Sequence, residues 1–250
     1  MKEYILNLLE KNKRIDNRKL NEFRKIEIQK DFIQRAEGSA RVKFGNTDVI
    51  VGVKLEINEP FPDTPDSGIL RTDAEFTPIA SENFFPGPPN ENAIELARIV
   101  DRGIRESETI DLEKLCLEKG EKVWGVCIDI RIINHDGNLI DASALAALIA
   151  LTTTKIPKIK DDEIIREEYS GKLPLKHKPI TISIGKIGDK FIIDPCLQEE
   201  NLLDSILTVS VREDGKICAM QKRKNSLKVE EINKIIDLAV NKSKELRKLI

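Results

Sequence analysis

No stretch of this 250-residue chain approaches the roughly 20 consecutive apolar residues that span a bilayer, so no transmembrane helix and no membrane partner are expected. The opening MKEYILNLLEKNKRIDNRK has neither the apolar core nor the small-residue cleavage site of a secretory leader. It reads as a short amphipathic helix with Ile5, Leu6, Leu8 and Leu9 inward, and the expected compartment is the cytoplasm. Cys116, Cys127, Cys196 and Cys218 show no CxxC pairing, which argues for buried free thiols over a disulfide or a zinc site. Neither sign of charge is in excess: 41 Lys and Arg stand against 43 Asp and Glu, a formal net charge of −2. Any basic surface for nucleic acid must therefore be local.

What is present describes a folded protein with a heavily charged surface: 40% of residues are hydrophobic and 34% charged. A chain this long buries a large core, as one broad domain or two fused halves. Its Lys and Glu content is a compositional mark of thermophiles. KIEIQKDFIQRAEGSARVKFGNTDVIVGVKLEINEP alternates apolar and polar residues, with a hairpin turn at Gly45-Asn46. Two Pro- and Gly-rich loops, FPDTPDSG and NFFPGPPNEN, flank a further strand in LRTDAEFTPIA. NAIELARIVDRGIRES has a helical period, Ile94, Leu96, Ala97, Ile99, Val100 and Ile104, capped by Asn90 or Asn92. KVWGVCIDIRIINHDG is a long strand, and IDASALAALIALTTT is a helix apolar on every side. DDEIIREEY reads as an exposed linker.

Beyond it the pattern repeats in outline. Hairpins turn near Gly188-Asp189 and at Asp214-Gly215, and a helix of roughly 20 residues starts at about Leu227. Its inner stripe is Ile232, Ile235, Ile236, Ala239 and Leu246. Strands followed by helices, twice over, predict an α+β fold of two related halves, residues 1–160 and 161–250, with antiparallel or mixed sheets and helices packed on them.

Three places could carry chemistry. Arg98, Arg102 and Arg105 stand at i, i+4 and i+7, which puts all three on one helix face. The arrangement suits either an anionic ligand or a solvated face on which Glu95 reaches Arg98 and Asp101 reaches Arg105. A turn leading into a helix N-terminus is a natural phosphate site, and HDGNLIDAS supplies one. That turn, Gly137-Asn138-Leu139-Ile140, carries no Lys, Arg, Ser or Thr, and Asp141 would serve as a helix cap. The third place, IIDPCLQEE, offers Asp194, Glu199 and Glu200. These carboxylates could bind a metal or act as a general acid, or they could simply complement a helix dipole.

Taken together, RIDNR at 14–18, GSARVKFGNTDVIVGVK at 38–54, NAIELARIVDRGIRES, VWGVCIDIRIINHDGNLIDAS and FIIDPCLQEE resemble the RNase PH-like phosphorolytic exoribonucleases. Within them they resemble most the non-catalytic branch found in the archaeal exosome. The resemblance implies a pseudo-twofold β-α fold and a family that shortens RNA from its 3′ end with inorganic phosphate as the attacking group. Active members hold that phosphate on a Gly-Ser/Thr-Arg turn and carry two Asp six residues apart. Here the turn has lost its hydroxyl and its Arg, and the second carboxylate position is Glu200 in place of Asp. The resemblance therefore implies no catalytic residue in this chain, no metal and no cofactor.

It also implies RNA contact through Arg98 and Arg102, with Arg105 a weaker candidate because of Asp101. The implied assembly is a hetero-hexameric ring, a trimer of heterodimers with a catalytic RNase PH-like paralogue. RNA-binding cap subunits sit on one face, and single-stranded RNA 3′ ends enter the central pore. Two other readings stay open at this point. One is an independent nuclease using Asp194 and Glu200; the other is a purely structural ring subunit that never touches RNA.

Overall fold

The structure, a computed structural model, describes residues 2–160 and 163–250. Helix α1 (Lys2–Glu10) is followed by strands β1 (Ile26–Lys30), β2 (Gly38–Phe44), β3 (Thr47–Asn58) and β4 (Ile69–Phe76). Next come α2 (Glu91–Glu106), β5 (Cys116–Glu118), β6 (Lys122–Asn134), α3 (Leu139–Thr153), β7 (Lys155–Lys160) and β8 (Glu163–Lys172). The remainder is β9 (Ile180–Ile187), β10 (Lys190–Ile193), the short α4 (Leu197–Glu200), β11 (Ser205–Val211), β12 (Ile217–Lys224) and α5 (Val229–Arg247).

The period-two pattern does what it predicts. Along β3, Val49, Val51, Val53 and Leu55 turn inward while Ile50, Lys54 and Glu56 face out. The first sheet runs β1-β2-β3-β6-β4, with β5 paired to β6, and only the β4–β6 pairing is parallel. The second sheet, β10-β9-β11-β12, is antiparallel throughout. Fold class and mixed sheets match the α+β expectation.

Helix α3 joins the two sheets. It packs against β2 and β3 of the first and β9 of the second, so its side chains are buried on nearly every face. Such a helix has no solvent side to spend on charge, which is why its sequence reads apolar all round. A single hydrophobic core runs through both sheets, and α5 covers β9 and β11 from the other side. A second, smaller cluster unites Ile5 and Leu9 of α1 with Ile187, Ile192, Leu203 and Ile206. The first helix of the chain thus rests on the second sheet.

Three expectations need correction. The supposed linker is strand β8, paired antiparallel with β7 in a two-stranded ribbon that is exposed on most of its length. A ribbon without a sheet to cover needs no apolar face, so its charged sequence hid its pairing. The first two residues of that segment, 161 and 162, and with them the expected boundary between the halves, lie outside the described residues. Second, Asp141 does not cap α3; the N-cap is Asn138. Third, all four cysteines are free, but only Cys196 is buried and the other three are half-buried.

Candidate functional site

The turn between β6 and α3 is held against the loop that precedes α4. Gly137 has φ +84°, and a Cβ there would lie 2.6 Å from the backbone of Pro195, Cys196 and Leu197, so only glycine lets the two loops meet. Asn138 follows at φ 54°, a left-handed conformation that Asn tolerates. Its backbone N–H, at the positive end of α3, donates to Glu200 Oε2 at 2.7 Å. Its side-chain amide donates to Asp194 Oδ1 at 2.9 Å and to Asp141 Oδ2 at 3.1 Å. The N-cap N–H of this helix terminus, where an anion would find a donor, is thus taken by the chain's own carboxylate.

All three carboxylates of IIDPCLQEE are committed in this way. Asp194 is fully buried and accepts from Arg24 Nε at 2.9 Å, Arg24 Nη2 at 2.7 Å and the Arg24 backbone N–H at 2.8 Å. Arg18 Nη1 adds a contact at 3.1 Å. Burial by itself would raise the Asp194 carboxyl; the hydrogen bonds and charge of Arg24, helped by Asn138, outweigh it and leave the group below its ordinary range. Glu199, also buried, pairs with both Nε and Nη2 of the buried Arg14 and caps the Cys196 N–H at 3.1 Å. The Arg24 guanidinium also donates to the carbonyls of Asp136 at 2.6 Å and Gly137 at 3.2 Å, and Thr47 Oγ1 donates to Gly137 O at 2.7 Å. Among the described residues no group of three or more His, Cys, Asp or Glu could hold a metal.

Asp141 lies in the first turn of α3 and ties it to the second sheet: its Oδ2 accepts from the Ser183 N–H at 2.9 Å. Burial, only partly offset by those hydrogen bonds, pushes its pKa up to about 7. Its Oδ1, with Asn138 Oδ1 and Ser143 Oγ, is buried without a partner among the described residues.

Arg98, Arg102 and Arg105 are exposed on one face of α2, as their spacing predicts. Asn90 caps the helix by accepting from the Ala93 N–H at 2.9 Å. Gly103 lets α2 lie close on β11, since a Cβ there would come within 3.0 Å of Ser210 Oγ. The arginine face lines one wall of a cleft of about 890 Å³, whose other wall holds Thr208, Ser210, Met220 and Gln221 of the second sheet. The three arginines are not equivalent. Arg105 is held by Asp101, at 2.9 and 3.0 Å, and by the carbonyl of Leu70 at 3.0 Å. Arg98 and Arg102 have no hydrogen-bond or ion-pair partner among the described residues. Glu95, which could have neutralised Arg98, points instead to Arg223, at 3.9 Å.

A smaller cleft of about 200 Å³ opens beside the filled turn, walled by Phe76, Phe84 and His135. Phe84 stacks on His135 with ring centroids 5.4 Å apart. Sequence reasoning passed over Arg24, which reaches Asp194 from 170 residues away; RIDNR did mark the segment that supplies Arg14 and Arg18.

Comparison with known proteins adds to this geometry. The model of the 3′ exoribonuclease family, RNase PH type, matches over residues 22–157 with its domain 1 and over 177–242 with its domain 2. An exosome complex component Rrp42 of Thermococcus gammatolerans is 51% identical over 100% of this chain and 93% of its own length. The solved Archaeoglobus fulgidus exosome with RNA bound to the active site contains a chain that is 46% identical. The two superpose with a TM-score of 0.93 over 99% of this chain and 96% of that one. A chain of an archaeal exosome core gives a TM-score of 0.88 at 44% identity, over 99% of this chain and 94% of that one.

Proposed function

The chain belongs to the 3′ exoribonuclease family of RNase PH type, and from that membership we propose that it is a ring subunit of an archaeal exosome that performs no phosphorolysis itself. It pairs with a catalytic paralogue, three copies of each alternating around a central pore, with RNA-binding caps on one face. Its two halves, 1–160 and 161–250, form one wall of the neighbour's substrate channel. The proposed compartment is the cytoplasm; among the described residues no helix is long and apolar enough to cross a membrane.

The observation that carries the non-catalytic reading is the hydrogen bond from the Asn138 N–H to Glu200 at 2.7 Å. Phosphate needs converging donors. Here the terminal N–H is taken, no hydroxyl or guanidinium extends from residues 138–140, and the nearest guanidinium, Arg24, is spent on Asp194 and two carbonyls. Losing two charge-assisted donors, at about 1.5–3 kcal/mol each, weakens anion binding by orders of magnitude. The same donors would orient the attacking oxygen, so chemistry fails beyond binding.

The reading of Arg98 and Arg102 as RNA contacts rests on their lack of partners beside an open cleft. Two like charges one turn apart repel by a few tenths of a kcal/mol, and a phosphate between them relieves that. Such contacts are indifferent to base sequence and sensitive to salt.

The experiment is phosphate-dependent shortening of a labelled oligoadenylate by this chain alone, by the catalytic paralogue alone and by the two mixed. Full activity is expected only in the mixture. Release of nucleoside diphosphates by this chain alone would overturn the non-catalytic reading. Rings carrying Arg98→Ala with Arg102→Ala that bind RNA as wild type does would make the subunit purely structural.

A further inference from the structure

Arg223 is an arginine with little to hold it. Its Nε is buried and has no hydrogen-bond partner among the described residues, an arrangement that costs stability unless a partner arrives. Its ion contact is Nη1 to Glu95 Oε2 at 3.9 Å, beyond hydrogen-bond reach. Arg223 sits on β12, the edge strand of the second sheet. Strand alternation places it on the face of Ala219 and Gln221, both of which line the arginine cleft. Glu95 lies one helical turn before Arg98 on α2 and lines both clefts, so Arg223 stands where the larger cleft passes into the smaller. The carboxylates facing it are Glu95 and, across the smaller cleft, Glu200, whose Oε2 is engaged by Asn138.

We propose that Arg223 is a further RNA-phosphate contact, which with Arg98 and Arg102 clamps a single strand between the two halves of the chain. The proposal rests on the reading of Arg98 and Arg102 as RNA contacts. Their helix supplies one jaw of the clamp and β12 the other. An incoming phosphate meets the accessible part of this guanidinium, on a side chain that is 26% exposed, and frees Arg223 from its long-range hold on Glu95. Planar, forked and always charged, a guanidinium suits this duty better than an ammonium. Basic residues on an edge strand also discourage sheet-to-sheet pairing, but that role asks only for charge in solvent, whereas the Arg223 side chain is mostly buried and lines a cleft.

The test is binding of a fluorescent single-stranded RNA to rings reconstituted from this chain and the catalytic paralogue, across a range of salt concentrations. Size-exclusion chromatography checks assembly of each variant. Arg223→Ala is expected to lower affinity and to flatten the dependence of log K on log salt by about 0.7, the value for one phosphate contact on a single strand. Arg223→Lys should keep the slope. If Arg223→Ala prevents assembly, Arg223→Gln keeps much of the side chain's bulk without its charge and is expected to flatten the slope equally. An unchanged slope in the Arg223 variants, alongside a flatter one in Arg98→Ala with Arg102→Ala, overturns this inference and leaves the reading of α2 standing. Weakened binding at an unchanged slope also overturns it, since a structural role removes no counterion release. If the α2 variant too keeps the wild-type slope, both readings fall together.

Discussion

Glu200 Oε2 accepts the backbone N–H of Asn138 at 2.7 Å, so a side chain 62 residues further along the chain takes the N-cap N–H of helix α3. A contact of this kind stabilises the α3 terminus through a charge-assisted hydrogen bond and the helix dipole together. Glu200→Ala is expected to destabilise the chain by about 1–2 kcal/mol, at the low end for such bonds because the carboxylate is partly exposed. Thermal unfolding measures it. Glu200→Asp, which supplies the Asp pair that the resemblance implies for active members, is expected to give no phosphorolysis, because the turn has no hydroxyl or guanidinium donor; activity in that variant would overturn the proposed role of the turn.

Arg24 and Asp194 form a buried pair, and removing one partner strands the other. Arg24→Met should cost at most about 3–5 kcal/mol, because the buried Asp194 charge is then left to Arg18, at 3.1 Å, and the Asn138 amide. Adding Asp194→Asn should recover part of that loss. Equilibrium denaturation of the two single variants and the double variant checks the coupling, and strict additivity would refute it.

The pH dependence is set in part by Asp141, whose pKa in the folded chain, about 7, lies above its ordinary 3.8. Between those values the folded state holds a proton that the unfolded state has released. Stability therefore falls as pH rises through that window, and the loss is complete above pH 7, on the order of 4 kcal/mol. Asp141→Asn keeps an acceptor for Ser183 and cannot ionise. Its melting temperature should exceed that of wild type at pH 8 by more than at pH 5. A difference independent of pH would mean that Asp141 does not titrate in this range.

Arg105 should matter less to RNA than its neighbours. Its fork is satisfied by Asp101 and Leu70, so Arg105→Ala is expected to leave the salt slope of RNA binding nearly unchanged. Arg98→Ala or Arg102→Ala should each flatten it by about 0.7. Equal effects at all three positions would show that Asp101 yields Arg105 to the substrate.

Local patterns were readable where the cause was local. The hairpins at Gly45 and Gly188 follow from alternation and turn residues, and the arginine face follows from helical spacing. The spacing of Asp101 and Arg105 also foretold their pairing, because i,i+4 partners meet on any helix. Residues 163–172 misled for a related reason: an exposed ribbon has no buried face to print a period on the chain. Asp141 looked like a cap because caps are local, whereas Ser183, its partner, arrives by tertiary packing. Nothing near Arg24 announces Asp194, and nothing near Glu200 announces Asn138, 62 residues away. Legibility ended at contacts made between distant segments, and the filled site is built almost wholly from those.

Helix α1 packs on β10 and its neighbours, and Arg14 is bonded to Glu199 across 185 residues. Segments some 185 residues apart are therefore buckled together. A chain growing from the ribosome exposes Ile5 and Leu9 long before Ile187 and Leu203 exist to cover them. The buckle closes only once Leu203 and Ile206 are free, and such distant closure slows folding. Until then the inner face of α1 is unprotected apolar surface, a handle for chaperones and an early target for proteases. Truncating α1 would spare the first sheet and expose the second.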